Sequence, residues 1–280
     1  MDYTSNFLIR EKNKIHYITY PNEGPALLMM HGLTANAHAF TGLVHAGLKD
    51  SFHLISVDLR GRGLSSKLAF GYSIADHASD IIALLHHLQI ESIHLCGHSF
   101  GGLLASYLAF HHPERIKKII ILDAAPEMNP KAGEMLGPAL ARLDQRFENF
   151  DTYIETIQKA PYITFWDEHM HEYYKADVAT EADGTVEPIS NLADIAQVIT
   201  HTSKEPWQQY FTEIPHETLL VNAVDHYTLN EPLLPEHKAD EIASKMKNAT
   251  LIKVHGNHQT MLYGEYAKEI QQKITEFILD

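Results

Sequence analysis

A chain of 280 residues, 45% hydrophobic and 21% charged, holds enough apolar material for one large domain, or one domain with an insertion. Its formal net charge of −14, from 36 acidic against 22 basic side chains, repels phosphate backbones and anionic lipid headgroups, which argues against nucleic-acid and membrane-surface partners. A lone cysteine, Cys96, excludes an intrachain disulfide; with no signal-peptide pattern and no apolar run long enough for a bilayer, the expected setting is soluble and cytoplasmic.

Short β-rich runs alternate with helical patterns through the first half, predicting a mostly parallel α/β sheet flanked by helices. Residues 7–10 and 14–20 read as an opening hairpin around a polar turn at 11–13, and 26–30 and 53–57 as buried strands. Ser73 with Asp76 forms a capping-box-like helix start, followed by apolar residues at helical spacing from Ile74 to Leu88. A strand at 92–97, a helix at 101–110 and a strand at 116–122 follow. From 127 to 205 the pattern is helical and aromatic-rich with no convincing buried strand, which predicts a helical lid inserted between core segments 1–126 and 206–280. Strands return at 218–224 and 250–254, before an amphipathic helix near 266–278.

Gly97-His98-Ser99-Phe100-Gly101 is a G-x-S-x-G pentapeptide between a predicted strand and a predicted helix, the placement that a nucleophile elbow requires. A serine hydroxyl needs a base, itself oriented by an acid. His258, in the loop after the last strand, is preferred as base over its neighbour His255. Asp225, directly after the apolar run 219–224, is preferred as acid over Asp123 and Glu231. His31-Gly32-Leu33-Thr34 follows the strand 26–30, so the amides of Leu33 and Phe100 are the candidate oxyanion donors. The pocket is expected to draw on His31, Gly32 and His98 from the core and on Phe147, Tyr162 and Trp166 from the insertion.

The turn Asp58-Leu59-Arg60-Gly61-Arg62-Gly63-Leu64-Ser65 carries G-x-G, but Ser66 stands where a dinucleotide site needs its third glycine; Asp58 and Arg60 are expected to pin neighbouring loops. Histidines number 20, yet His86-His87, His111-His112 and His169/His171 form no complete metal-ligand pattern. No metal and no cofactor are expected.

Met30-His31-Gly32, the 58–65 turn, Gly97-His98-Ser99-Phe100-Gly101-Gly102, Asp225 and His258 follow in an order and spacing that resembles the α/β-hydrolase superfamily, over all but the insertion. The resemblance implies an eight-stranded, mostly parallel sheet with a helical cap after the sixth strand. Within the superfamily the chain looks like the esterase, lactonase and carbon–carbon hydrolase branch. It supports His258 through the continuation Gln259-Thr260-Met261-Leu262, and a serine at the nucleophile position argues against haloalkane dehalogenases and epoxide hydrolases. Two positions depart from the pattern: relatives commonly carry a glycine before the acid, where this chain reads Asn222-Ala223-Val224-Asp225, and Asn257 replaces a usual glycine. The implied activity is hydrolysis of a small-molecule carboxylic ester through an acyl-enzyme. Lactone cleavage is one alternative. Carbon–carbon bond hydrolysis is another; it would need Arg142, Arg146 or Lys159 to bind a second carboxylate. A slow ligand receptor and a cofactor-free perhydrolase are the non-hydrolytic alternatives.

Overall fold

The computed structural model describes residues 3–10 and 13–280. Among the described residues, eight strands, numbered in chain order, form one sheet in the order β1-β2-β4-β3-β5-β6-β9-β10. β1 (Thr4–Arg10) and β2 (Asn13–Tyr20) pair antiparallel, β2 pairs antiparallel with β4 (His53–Val57), and every later pairing is parallel. The expected first hairpin is therefore present, although Glu11 and Lys12 of its turn lie outside the described residues.

The central strands are β3 (Ala26–Met30), β5 (Ile93–His98), β6 (Ile116–Leu122) and β9 (Thr218–Ala223). Their near-continuous apolar runs are those of strands covered on both faces. Leu28, Leu95 and Ile121 meet one hydrophobic cluster; Met29, Cys96 and Leu122 meet the other. At roughly 1.5–3 kcal/mol for each large side chain withdrawn from water, these two layers dominate the stability of the core. Ser73 and Asp76 make both halves of a capping box on the helix Ile74–His87, as the sequence predicts. Asp58 accepts from Ala37 N, Leu64 N and His16 Nδ1, while Arg60 reaches Asp80 and the Asp76 carbonyl, so this pair does tie neighbouring loops together.

Between β6 and β9 the chain leaves the sheet. It forms the helices Phe150–Gln158, Glu168–Lys175 and Leu192–Thr202, with shorter turns before them. The insertion is not wholly helical: β7 (Val178–Thr180) and β8 (Val186–Pro188) make a small antiparallel hairpin, which Phe147 joins through a bridge to Val186. Three-residue strands are too short to leave a periodic trace in sequence. After β9 come the helix Glu236–Lys245, β10 (Ala249–Val254) and the final helix Gly264–Leu279. No helix among the described residues is long and apolar enough to cross a membrane.

Candidate active site

Ser99 stands at the turn from β5 into the helix Phe100–His111 with φ 54° and ψ −118°, a left-handed conformation that L-residues avoid. The strain is held from both sides. Ser99 N–H donates to the Leu122 carbonyl at 2.9 Å, and the Ser99 carbonyl accepts from Gly102 N–H at 2.8 Å. A Cβ on Gly101 would lie 1.9 Å from the Met30 carbonyl oxygen, and one on Gly97 would lie 2.1 Å from that of Gly101. Only glycine at both positions lets strand and helix meet this closely.

His258 lies in the loop after β10, and its Nδ1 is 2.7 Å from Asp123 Oδ2. Asp123 ends β6, is wholly buried and has φ 51°. Its other oxygen accepts from Ala223 N–H at 3.0 Å and from Asn222 Nδ2 at 3.2 Å. The aspartate preferred from sequence is placed elsewhere. Asp225 accepts from Gly256 N–H and meets Nδ1 of the exposed His255 at 3.2 Å. The structure thus brings Asp123 to His258 and Asp225 to His255. Glu231, the remaining candidate acid, pairs with Lys131 and Asn129. Asp123 directly follows β6, the strand beside the serine's own β5, whereas Asp225 lies two residues beyond β9, one strand further out.

His98 anchors the base loop: its Nε2 donates to the His258 carbonyl at 2.8 Å. Asn257 shapes the same loop. Its side-chain oxygen accepts from the amides of Gln259 and Thr260, and its Nδ2 donates to the carbonyls of Tyr162 and His226. The asparagine that departs from the family pattern therefore joins the base loop to the insertion.

Leu33 and Phe100 both line the cavity above Ser99, and neither amide finds an acceptor among the described residues. Three successive carbonyls of the first loop are held from outside. Gly32 O accepts from His31 Nδ1 at 2.7 Å, Leu33 O from Arg62 Nε at 2.9 Å, and Thr34 O from Arg142 Nη2 at 3.2 Å. In a planar trans peptide C=O and N–H point opposite ways, so holding Gly32 O fixes the direction of Leu33 N–H.

The cavity has a volume of about 510 Å³, and Ser99, His258, Gly32, His98 and Tyr162 all line it. His31, Phe147 and Trp166 do not. His31 is spent on backbone, Phe147 packs on Tyr153 with ring centroids 5.0 Å apart, and Trp166 stacks on Tyr174 at 5.8 Å. Aromatic content alone did not say which faces of the insertion turn inward; Tyr173 and Tyr174 do, and Trp207 and Tyr227 join them from the 206–280 segment. Arg142 also reaches the cavity, but it is committed. Nε and Nη2 grip Asp177, Nη1 donates to Ala139 O, and Tyr153 donates to the same aspartate. Arg146 is half-exposed and paired with Asp183, and exposed Lys159 faces Glu155.

Away from this site, His45, His169 and Glu172 come together with ligand atoms within 4.8 Å of one another, a grouping that sequence separation concealed. The His45 and His169 rings are stacked 4.1 Å apart and 2° from parallel. An ion bound to both would have to lie in both ring planes, and parallel planes do not meet, so the arrangement is not preformed for a metal.

Several buried histidines are held neutral. Burial drives His31 down to about 4, partly offset by the Asp58 charge, and holds His77 and His98 well below the ordinary range. Because the folded value of His31 lies below its unfolded 6.5, the unfolded chain takes up the extra proton as pH falls. The stability from neutral burial is complete above about pH 6.5 and drains away towards pH 4. For His31 alone the gap corresponds to about 3 kcal/mol. Urea midpoints should therefore be level from pH 8 to about 7 and fall steeply from about 6.5 to 4; a flat profile across that window would contradict neutral burial.

Comparison with known proteins places these features in a family. The alpha/beta hydrolase fold model matches residues 25–265. An uncharacterized protein of Mycobacterium tuberculosis is 39% identical over 101 residues, 36% of this chain and 29% of that protein. The 2-(acetamidomethylene)succinate hydrolase of Mesorhizobium japonicum is 32% identical over 152 residues, 53% of this chain and 54% of that enzyme. The matched segments thus span about half or less of these two relatives. The crystal structure of an E-2-(acetamidomethylene)succinate hydrolase superposes with TM-score 0.87 at 23% identity, covering 99% of this chain and 100% of that one. With the sheet order, the serine elbow and the family match over most of its length, the chain belongs to the alpha/beta hydrolase fold family.

Proposed function

We propose that this protein is a serine hydrolase acting on uncharged carboxylic esters of small to medium apolar acids. The observation that carries the reading is the convergence, on one largely apolar cavity, of a strained Ser99 and a His258 oriented by buried Asp123. Ser99 attacks the ester carbonyl while His258 takes its proton. Asp123 holds the imidazole by Nδ1 and stabilises the imidazolium, leaving Nε2 as the proton acceptor. The Leu33 and Phe100 amides receive the developing oxyanion. His258 then passes the proton to the leaving alcohol, and water activated by His258 releases the acid. The residues between β6 and β9 act as the lid over this cavity.

The acyl part is assigned as uncharged because Arg142, the cation at the cavity wall, is already neutralised by Asp177 and saturated by Thr34 and Ala139. A second carboxylate would find no unpaired partner there, and burying it unpaired is costly. This disfavours the carbon–carbon hydrolase reading and separates this cavity from one suited to a succinate. A lactone is the closest variant, since a cyclic neutral ester needs the same groups. The test is a series of p-nitrophenyl esters from acetate to decanoate, run beside simple lactones and a hemisuccinate ester. Turnover should peak within the neutral series, with kcat/KM for the hemisuccinate at least about tenfold below the neutral ester of equal length. Preference for the dicarboxylate would overturn the assignment.

A further inference from the structure

Arg62 is completely buried, yet it has no carboxylate partner within ion-pair distance among the described residues. The other buried arginines behave differently: Arg60 is paired with Asp80, and Arg142 with Asp177. Arg62 donates from Nε to Leu33 O at 2.9 Å and from Nη1 to Arg60 O at 2.7 Å. Its Nη1 also lies 3.2 Å from His77 Nε2, and its Nη2 is buried with no partner. His77 is fixed for this task. Its Nδ1 donates to Ser73 O, so Nε2 is left as an acceptor, and burial keeps the ring neutral. Asp194 acts on Arg62 only at longer range.

Burying an unpaired guanidinium is expensive, and a neutral side chain of similar length would fill the same space at lower cost. Its location gives a reason for keeping the charge. The guanidinium holds the Leu33 carbonyl and lies 5.8 Å from the centre of the Phe100 ring. Leu33 and Phe100 are the two residues whose amides face the reacting carbonyl in the mechanism above. One cation therefore touches both residues that supply the donors, and it does not line the cavity itself. Burial lowers Arg62 to about 10, which leaves it charged at neutral pH.

Resting on the serine-hydrolase reading, we propose that Arg62 is a positioning residue of the oxyanion site: it locks the loop carrying the Leu33 amide, and its unpaired charge favours the anionic tetrahedral intermediate over the neutral ester. Gly32 O is held by His31 and Leu33 O by Arg62, so the peptide planes on both sides of Leu33 are fixed. Because the ground-state ester is neutral and the intermediate is not, the charge acts on kcat more than on KM.

The test uses the full chain with a neutral p-nitrophenyl ester, active sites being counted by fluorophosphonate labelling so that misfolded protein is discounted. Arg62→Gln removes the charge and retains an NH₂ donor; Arg62→Lys retains the charge and loses the planar fork. Per labelled site, kcat should fall about 30- to 100-fold in Arg62→Gln and about 3- to 10-fold in Arg62→Lys, with KM within threefold of wild type. Phenylboronic acid, which becomes a tetrahedral anion on the serine, should weaken in parallel with kcat/KM. Unchanged kcat per labelled site, or a loss that leaves boronate affinity intact, would reduce Arg62 to a structural residue. Where Arg62→Gln does not fold, the partial loss in Arg62→Lys with parallel boronate weakening decides the matter. A wild-type chain that takes no label and turns over no ester would overturn the serine-hydrolase reading, and the role of Arg62 with it.

Discussion

Asp123→Asn should lower kcat on a neutral ester by about 10⁴-fold, while Asp225→Asn should leave it within about threefold of wild type. The two aspartates end neighbouring strands, β6 and β9, and a serine–acid–histidine order admits either. Their surroundings separate them. The Asp123 carboxylate is wholly buried, takes His258 Nδ1 on one oxygen and accepts two N–H bonds on the other. An asparagine of the same shape would keep its oxygen towards the Ala223 amide, since that amide can only donate. Its NH₂ would then face His258 and force Nδ1 to become the acceptor. The proton would move to Nε2, where it could no longer be taken from Ser99. Asp225 lies beside the exposed His255 and bonds the Gly256 amide, which an asparagine oxygen still satisfies. Steady-state kinetics with circular dichroism on both variants checks this. The reverse ranking would return the acid to Asp225.

Ser99→Ala should reduce turnover by about 10⁶-fold and abolish fluorophosphonate labelling, with the unfolding midpoint unchanged. The large loss follows because without the hydroxyl no acyl-enzyme forms, and His258 has nothing to deprotonate but water. The fold survives because the elbow is held by backbone groups and by the absence of Cβ atoms on Gly97 and Gly101, none of which the substitution touches. Alanine at φ 54° bears about the same backbone strain as serine. Residual turnover above about 1% of wild type would remove Ser99 from the mechanism.

These two residues also mark what a linear chain discloses. The elbow was legible because its chemistry is local: a strand, a serine and two glycines at fixed offsets, each with a steric reason. The strands β3, β4, β6 and β9 were legible as buried apolar runs. The partner of His258 was not, because choosing between Asp123 and Asp225 requires knowing which strand end lies under the base loop, a property of sheet order. A trace existed in Asn222-Ala223-Val224-Asp225, which lacks the glycine that the family resemblance leads one to expect before the acid. The pairing of Arg142 with Asp177, and of His45 with His169, joins residues too far apart in the chain for periodicity to register. His31 was readable as part of a loop motif but not as buried backbone support, since a histidine beside a glycine fits both roles.

Asn257 gives the site an asymmetric mechanical suspension. On one side, His258 hangs from His98 and Asp123, which belong to the ends of two adjoining central strands and share the stiffness of the sheet. On the other, the backbone just before His258 is tethered by the Asn257 amide group to the Tyr162 carbonyl in the insertion. A displacement of the Tyr162 segment would pull directly on the peptide adjoining the proposed proton acceptor, while Ser99 and Asp123 stay put. In the proposed mechanism, movement of the insertion would thus reach the base through the Asn257 amide and the Tyr162–Tyr227 stack, while Ser99 and Asp123 are mounted on the sheet.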